Sequence, residues 1–316
     1  MAITRLLFGT DFHGSEVCFR KFLGAASAYQ ANVVVVGGDI TGKAIVPIAK
    51  ASGGYQAHLF GEEILVHTEA ELTELRKRIS AVGFYPYVAE QDELDELRRD
   101  QTKMDRLFMT LMNERVRGWV ELAEVHVVKK GMRCFMMPGN DDMFCIDEIL
   151  NLSKTVNNSD GKIVQLDEYH EMVTVGYNNI TPWQCHRDIS EEELFERIDA
   201  TASGLENPGG AIFNLHCPPQ ATNLDQAPEI DANLRIVYHG GQISMKSAGS
   251  TAVRRAIEKY HPLLGLHGHI HEGRGFDRIG TTLCLNPGSE YAEGIMRAAI
   301  VNLEKNRVKG YILISG

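Results

Sequence analysis

The sequence predicts an α+β fold, and three observations carry that expectation. Short apolar runs recur that stop at glycine or proline, as buried strands do. Between them lie stretches whose apolar residues repeat at helical spacing behind Ser or Thr caps. The last part of the chain reads as a series of strands. With 316 residues, 44% of them hydrophobic, the chain can bury a sizeable core as one large domain carrying an insertion.

Taken in order, Leu6-Leu7-Phe8 is a strand that runs into Gly9-Thr10-Asp11-Phe12-His13. Residues 15–29 form a helix with Val17, Phe22, Leu23 and Ala26 on one face. Val33-Val34-Val35-Val36 follows as a strand ending at Gly37-Gly38-Asp39, so residues 1–40 make one βαβ unit. About a hundred residues then pass before the next strand end of this kind, more than a plain crossover needs. The spacing predicts a hairpin over 55–67 turning at Gly61-Glu62. The capping box Thr68-x-x-Glu71 opens a helix with Leu72, Leu75 and Ile79 on one face, and Gly83 ends it. Phe84-Tyr85-Pro86-Tyr87 is extended. A long helical stretch over 92–130 carries Leu94, Leu97, Met104, Leu107, Phe108 and Leu111 and is expected to break near Gly118. Residues 44–101 are therefore expected to be an inserted accessory subdomain within a 1–316 domain. The later helix would be the crossover into strand 134–137, which ends at Pro138-Gly139-Asn140-Asp141.

In the second half, 163–166 and 172–175 are spaced as a hairpin, and Thr181-Pro182-Trp183 marks a loop. Ser190-x-x-Glu193 caps a helix to about residue 202. Ala211-Ile212-Phe213-Asn214-Leu215 runs into His216-Cys217-Pro218-Pro219, and a polar loop is expected to about Ser250. Residues 253–260 are helical. Leu263-Leu264-Gly265-Leu266 runs into His267-Gly268-His269-Ile270-His271, and 282–285 into Asn286-Pro287-Gly288-Ser289.

Composition excludes several function classes. No apolar run approaches the roughly 20 residues that span a bilayer. The first apolar run leads straight into Asp11 and reads as a strand, not a signal peptide. The net charge of −10 and the lack of a basic stretch disfavour non-specific nucleic-acid binding. The six cysteines show no metal spacing and are expected to be reduced, which implies a cytoplasmic protein.

Asp11, His13, Asp39, Asn140, His216, His269 and His271 close or follow five apolar runs. Ligands of open α/β sheets gather at the carboxyl ends of strands, so these donors describe one polar pocket. Asp-x-His and His-x-His place alternate donors on one side of an extended loop. Glycines at 37, 38, 139 and 268 allow close backbone approach. Imidazoles with carboxylates and an amide oxygen suit Mn²⁺, Fe²⁺/Fe³⁺ or Zn²⁺. Seven donors are too many for one ion, and two divalent ions with one bridging carboxylate are the economical arrangement. Asp11 and Asp39 contribute two negative charges against four positive ones, so the filled site would attract a phosphate ester. A two-ion site of this kind clamps an in-line phosphoryl displacement and generates a hydroxide nucleophile.

Asp11-x-His13, Gly38-Asp39, Gly139-Asn140, His216 and Gly268-His269-x-His271 resemble, in order, the five motif blocks of the calcineurin-like metallophosphoesterases. Thr181-Pro182-Trp183, Gly249-Ser250, His269-Ile270-His271-Glu272 and Asn286-Pro287-Gly288-Ser289 extend the likeness to a prokaryotic branch of predicted phosphoesterases. It covers nearly the whole chain except 44–101. The resemblance implies a four-layer α/β/β/α sandwich of two mixed sheets. It assigns Asp11, His13, Asp39 and His271 to one metal, and Asp39, Asn140, His216 and His269 to the other. One block departs from the family: where its phosphatases have Gly-Asn-His, with the histidine protonating the leaving group, this chain has Asp141. A carboxylate cannot donate that proton, so phosphodiesters are expected over alkyl monoesters, with Asn140 and Asp141 in the catalytic pocket.

The expected function is hydrolysis of a small phosphate ester by attack of a metal-bound hydroxide. The alternatives are a catalytically weak metal-binding interaction module on the same fold, or a phosphomonoesterase or phosphoprotein phosphatase. A homodimer is compatible with the sequence. Of the other histidines, His239 and His267 stand nearest the motif blocks, and Asp142 either caps a helix starting near Met143 or orients Asp141.

Overall fold

The structure, a computed structural model, describes residues 3–316. Two six-stranded mixed sheets form the body. In the first, strands Thr4–Gly9, Val33–Gly37, Arg133–Met137 and Val156–Asn158 run parallel. The hairpin Arg297–Glu304 and Arg307–Ser315 adds antiparallel beside Thr4–Gly9. In the second, Glu171–Val175, Ile212–Leu215, Leu264–Leu266 and Thr282–Asn286 run parallel. Antiparallel edge strands Lys162–Gln165 and Gly275–Ile279 flank them.

The two-residue period of a strand explains how these sheets pack. Leu6, Phe8, Val33, Val35 and Phe135 share one core cluster with Met172, Ile212, Leu264, Leu266 and Leu285 of the other sheet. The alternate residues Leu7, Val34, Val36, Cys134 and Met136 pack with Phe19, Phe22, Val116, Trp119 and Ile149 of helices Glu16–Ala28, Gln101–His126 and Ile146–Leu152. Val173, Val175, Phe213 and Leu215 do the same against Leu194, Ile198, Val253 and Ile257 of helices Glu191–Ala202 and Thr251–Tyr260. Parallel strands covered on both faces must be apolar throughout, which is why Val33–Gly37 is buried at every position. Each large apolar side chain so buried contributes about 1.5–3 kcal/mol.

Residues 45–89 build a separate four-stranded sheet of Glu62–Val66, Gly54–Leu59, Ile45–Ala51 and Tyr85–Ala89, in that order. Helix Glu69–Ala81 packs on it through Leu72, Leu75 and Ile79, and the expected Thr68–Glu71 capping box is present. The hairpin forms but turns one residue earlier than expected, at Phe60-Gly61, with Leu59 paired to Glu62. Strand Ile45–Ala51 was not expected, because Pro47 interrupts its apolar run.

The helix break falls at Asp100 rather than Gly118. Asp100 is extended (φ −119°, ψ 94°), ends helix Gln91–Arg99, and accepts the backbone N–H of Lys103 to start Gln101–His126. Asp100 can cap a new helix by accepting a backbone N–H through its side chain, which a glycine cannot do. Gly118 stays helical because its neighbours Val116 and Trp119 are anchored in the core. The segment expected as one polar loop also contains short strand pairs, Gln226–Pro228 with Met245–Ser247 and Tyr238–His239 with Gln242–Ile243. Among the described residues no helix is long and apolar enough to cross a membrane.

Candidate metal centre

All seven donors expected from the sequence follow the carboxyl ends of parallel strands. Asp11 and His13 follow Thr4–Gly9, Asp39 follows Val33–Gly37, and Asn140 follows Arg133–Met137 in the first sheet. His216 follows Ile212–Leu215, and His269 and His271 follow Leu264–Leu266 in the second. Four of them adopt left-handed backbone: Asp11 (φ 54°), His13 (φ 42°), Asp39 (φ 48°) and His269 (φ 64°). Non-glycine residues hold that region at a cost of about 1–3 kcal/mol each, and only where surrounding structure imposes it. The imposition is visible as backbone bonds between ligand loops: Asp11 N–H to Gly38 O at 3.0 Å, His13 N–H to Asp39 O at 2.9 Å. The close approach requires glycine. A Cβ on Gly139 would lie 2.2 Å from Asp39 Oδ1, and one on Gly268 would lie 2.4 Å from Asp11 Oδ2.

The donors converge in two groups. Asp11, His13 and His271 have ligand atoms within 4.8 Å of one another, as do Asp39, His216 and His269. The Asp39 carboxylate lies between the groups. Its Oδ1 is 3.4 Å from His216 Nε2, and its Oδ2 is 3.6 Å from His13 Nε2. His13 Nε2 faces His271 Nε2 at 3.1 Å. His13, Asp39 and Asp141 form a further group at the same spacing.

Three buried polar atoms here have no hydrogen-bond partner: His13 Nδ1, Asn140 Oδ1 and His216 Nε2. Leaving each unsatisfied costs about 1–3 kcal/mol; Asn140 Oδ1 and His216 Nε2 are placed to face a cation, while His13 Nδ1 faces Asp141 Oδ2 at 3.7 Å. Two are aimed by their other ends. Asn140 Nδ2 donates to Asp188 Oδ1 at 2.9 Å, which turns the amide oxygen toward the cluster. His216 Nδ1 lies 2.8 Å from the Gly37 carbonyl, so that nitrogen carries a proton and Nε2 is the atom turned toward Asp39 and Asp11. A nitrogen and oxygen donor set with orphaned, oriented atoms fits divalent cations and excludes a thiolate site.

Electrostatics agree. Burial would raise the Asp11 carboxyl, but hydrogen bonding to His271 and the charge of His216 outweigh it and hold the group well below the usual range. Burial drives His13 down, aided by Lys43, and drives His269 down to about 3. Burial also opposes charge on His216, yet Asp39 and Asp11 overcome it and raise the ring to about 10 in the polypeptide alone.

Asp141 sits at the edge of the cluster, its Oδ2 3.0 Å from Lys43 Nζ and 3.7 Å from His13 Nδ1. Lys43 was not anticipated, although a cation four residues beyond Asp39 was a readable signal. Asp188 gave no signal, because its approach to Asn140 depends on closure of the 178–188 loop. Buried Arg187 fastens that loop, donating to the Asp142 carbonyl at 3.1 Å and pairing with Asp147 at 2.8 Å. Asp142 neither caps a helix nor orients Asp141. Its carboxylate accepts the N–H groups of Ile40, Thr41 and Gly139, tying two ligand loops together, and the helix starts later, at Ile146. His239 and His267 stay outside the donor groups. His239 is exposed on a hairpin, while His267 is a core residue with Nδ1 2.9 Å from the Leu215 carbonyl.

The fold and the cluster define a mixed α+β protein presenting Asp, His and Asn donors for metal between the carboxyl ends of two sheets. No family model matches the chain. It is 29% identical over 159 residues to the uncharacterized protein MJ1162 of Methanocaldococcus jannaschii, a match covering 49% of this chain and 64% of that protein. The chain thus spans less than two thirds of the length of that curated relative. One crystal structure superposes with a TM-score of 0.58 at 18% identity over 99% of both chains. That of TT1561 of Thermus thermophilus superposes with 0.52 at 13% identity over 100% of this chain and 99% of the other. At such identities the likeness is one of fold.

Proposed function

We propose that this chain is a metal-dependent phosphoric ester hydrolase that holds two divalent cations and acts on phosphodiesters in preference to alkyl monoesters. The observation that carries the reading is Asp39, whose two oxygens face histidines of opposite donor groups. One cation would take Asp11, His13, Asp39 and His271, and the other Asp39, Asn140, His216 and His269. The five motif blocks resemble those of the calcineurin-like metallophosphoesterases. The three core clusters, read as helix, sheet, sheet, helix, support the four-layer sandwich that such a likeness implies.

Bound divalent cations would supply Lewis-acid polarisation of a phosphoryl oxygen and a nucleophile from water at neutral pH. The chain's own part is to fix their ligands and the leaving group. Asp188 and the Gly37 carbonyl lock the orientations of Asn140 and His216. Asp141, paired with Lys43, is an acceptor where a leaving-group acid would stand. Burial opposes charge on Lys43, but Asp141 and Asp39 prevail and lift it above the ordinary lysine range, so it is a weak acid at neutral pH. Alkyl monoesters, which need a protonated leaving group, would therefore forfeit about 10²–10⁴-fold of general-acid assistance. A monoester also brings a dianion beside Asp141, whose charge the half-exposed Lys43 offsets only in part, so a diester with the same leaving group is favoured as well.

Residues 44–101 would serve as an accessory element controlling access. Their position supports this: Ser15 Oγ donates to the Ala81 carbonyl at 2.5 Å, and the Gly42 N–H donates to Tyr85 Oη at 2.7 Å, close to the ligand loops.

The test is metal content with Mn²⁺-dependent hydrolysis of bis-(para-nitrophenyl) phosphate and of glycerol phosphate. The expected result is close to two ions per chain and turnover of the diester. Asp39→Asn should lose metal and at least about a hundredfold in activity. A fully active Asp39→Asn protein would overturn the assignment. Metal uptake without hydrolysis of either ester would make the chain a binding module instead.

A further inference from the structure

Beside the metal centre, under the four-stranded sheet, lies a cleft of about 310 Å³. Its walls come from strands Ile45–Ala51 and Tyr85–Ala89, helix Gln91–Arg99 and the start of helix Gln101–His126. Ile45, Tyr87, Leu97, Met104 and Phe108 make it mainly apolar, and Arg98 is among its few charged residues. That size and lining are those of a small-molecule site, since pockets of about 300–1,000 Å³ with apolar walls and few polar groups hold organic ligands.

Lys43 joins the cleft to the metal centre. It lines the cavity, and its Nζ lies 3.0 Å from Asp141 Oδ2, which itself stands with His13 and Asp39. Lys43 thus belongs both to the cleft wall and to the side of the centre where Asp141 replaces a leaving-group acid. A group leaving on that side meets a carboxylate and, in Lys43, only a weak acid. A leaving group that is intrinsically stable as an anion, as aryloxides are, is favoured there, and the apolar cavity complements an aryl group.

We propose that this cleft is the binding site for an aryl or similarly flat apolar group of the phosphate ester, with Lys43 at its inner end placed beside the phosphoryl oxygens. The proposal rests on the reading of the centre as a phosphoesterase site. Residues 45–105 then set substrate class directly, by supplying most of the cavity wall.

The test uses the Mn²⁺-loaded full chain and two hydrolysis-resistant probes, methylphosphonate and naphthylphosphonate, with binding read by calorimetry. Methylphosphonate reports on the metal centre alone, and the ratio of the two affinities reports on the cleft. Naphthylphosphonate should bind at least about tenfold more tightly, since even a single methylene in an apolar pocket is worth about 10–200-fold. Met104→Trp and Leu107→Trp fill the cavity from the helix side. In whichever variant keeps the wild-type melting temperature, the ratio should fall to about twofold or less with methylphosphonate unchanged. Equal affinities in the wild type, or an undiminished ratio in a folded variant, would overturn the cleft proposal alone. Failure of methylphosphonate to bind at all would overturn the metal-centre reading and this proposal with it.

Discussion

Asp141 is the residue at which this centre parts from the family it resembles, and its partner decides what it can do. The ion pair with Lys43 makes its carboxylate an acceptor where the family's phosphatases carry a donor. Asp141→His should therefore raise activity on an alkyl monoester relative to a diester with the same leaving group, by about tenfold or more. Steady-state kinetics on both esters checks this, and an unchanged ratio at unchanged metal content would show that selectivity is set elsewhere. His216 makes a second prediction, with a definite sign. In chelated protein its ring is raised from 6.5 to about 10, so at pH 7 it carries a proton wedged between Asp39 and Asp11. The stabilisation this gives is full below about 6.5 and is lost as pH rises through about 10. Metal must displace that proton, so metal affinity should run the other way and rise with pH toward 10. Calorimetric loading at pH 7 in two buffers of different ionisation enthalpy should detect the release. The seven donors were legible because each stands at a local signature, an apolar run broken by Gly or Pro. Lys43, Asp188 and Arg187 were not, because what they do depends on loops that meet only after folding.

Among the elements, the 45–89 sheet shows how an added unit can bear on a site to which it gives no metal ligand. Gly83 ends its helix at φ +86°, and a Cβ there would lie 2.1 Å from the His13 carbonyl oxygen. Gly83→Ala should cost about 1–3 kcal/mol and weaken metal binding by pushing on the His13 loop. Gly61→Ala is the control: its φ is also positive, at +81°, but a Cβ there meets nothing within 4 Å. It should lower the melting temperature without touching metal affinity. Equal metal affinity in the two variants would disconnect this sheet from the centre. Capping boxes, the hairpin and the first βαβ unit were readable because each depends on residues a few positions apart. The break at Asp100 was misplaced because glycine is only a weak helix breaker when its neighbours are held in a core. The strand over Ile45–Ala51 was hidden because pairing with Tyr85–Ala89, not its own composition, makes it a strand.

At the scale of the whole molecule, the donors are divided between the two sheets, four on the first and three on the second. Cations held by both should fasten the sheets to each other. At a hundred times its dissociation constant, each Mn²⁺ should add about 2.7 kcal/mol, and chelation should lower the melting temperature accordingly. A melting temperature indifferent to chelator would mean that the centre does not link the sheets. The second sheet lies between two stretches of chain that build the first: Thr4–Gly9 pairs with Arg297–Glu304, register Leu6 to Val301. During synthesis, at about 5–20 residues per second, the strand leading to Asp11 and His13 waits with one edge bare until Arg297–Glu304 has been made. A bare edge is open to wrong partners. The loop that first presents these donors thus gains its permanent neighbour only after the last donor, His271, has been made, and capture of cations should follow the pairing of Arg297–Glu304 rather than precede it.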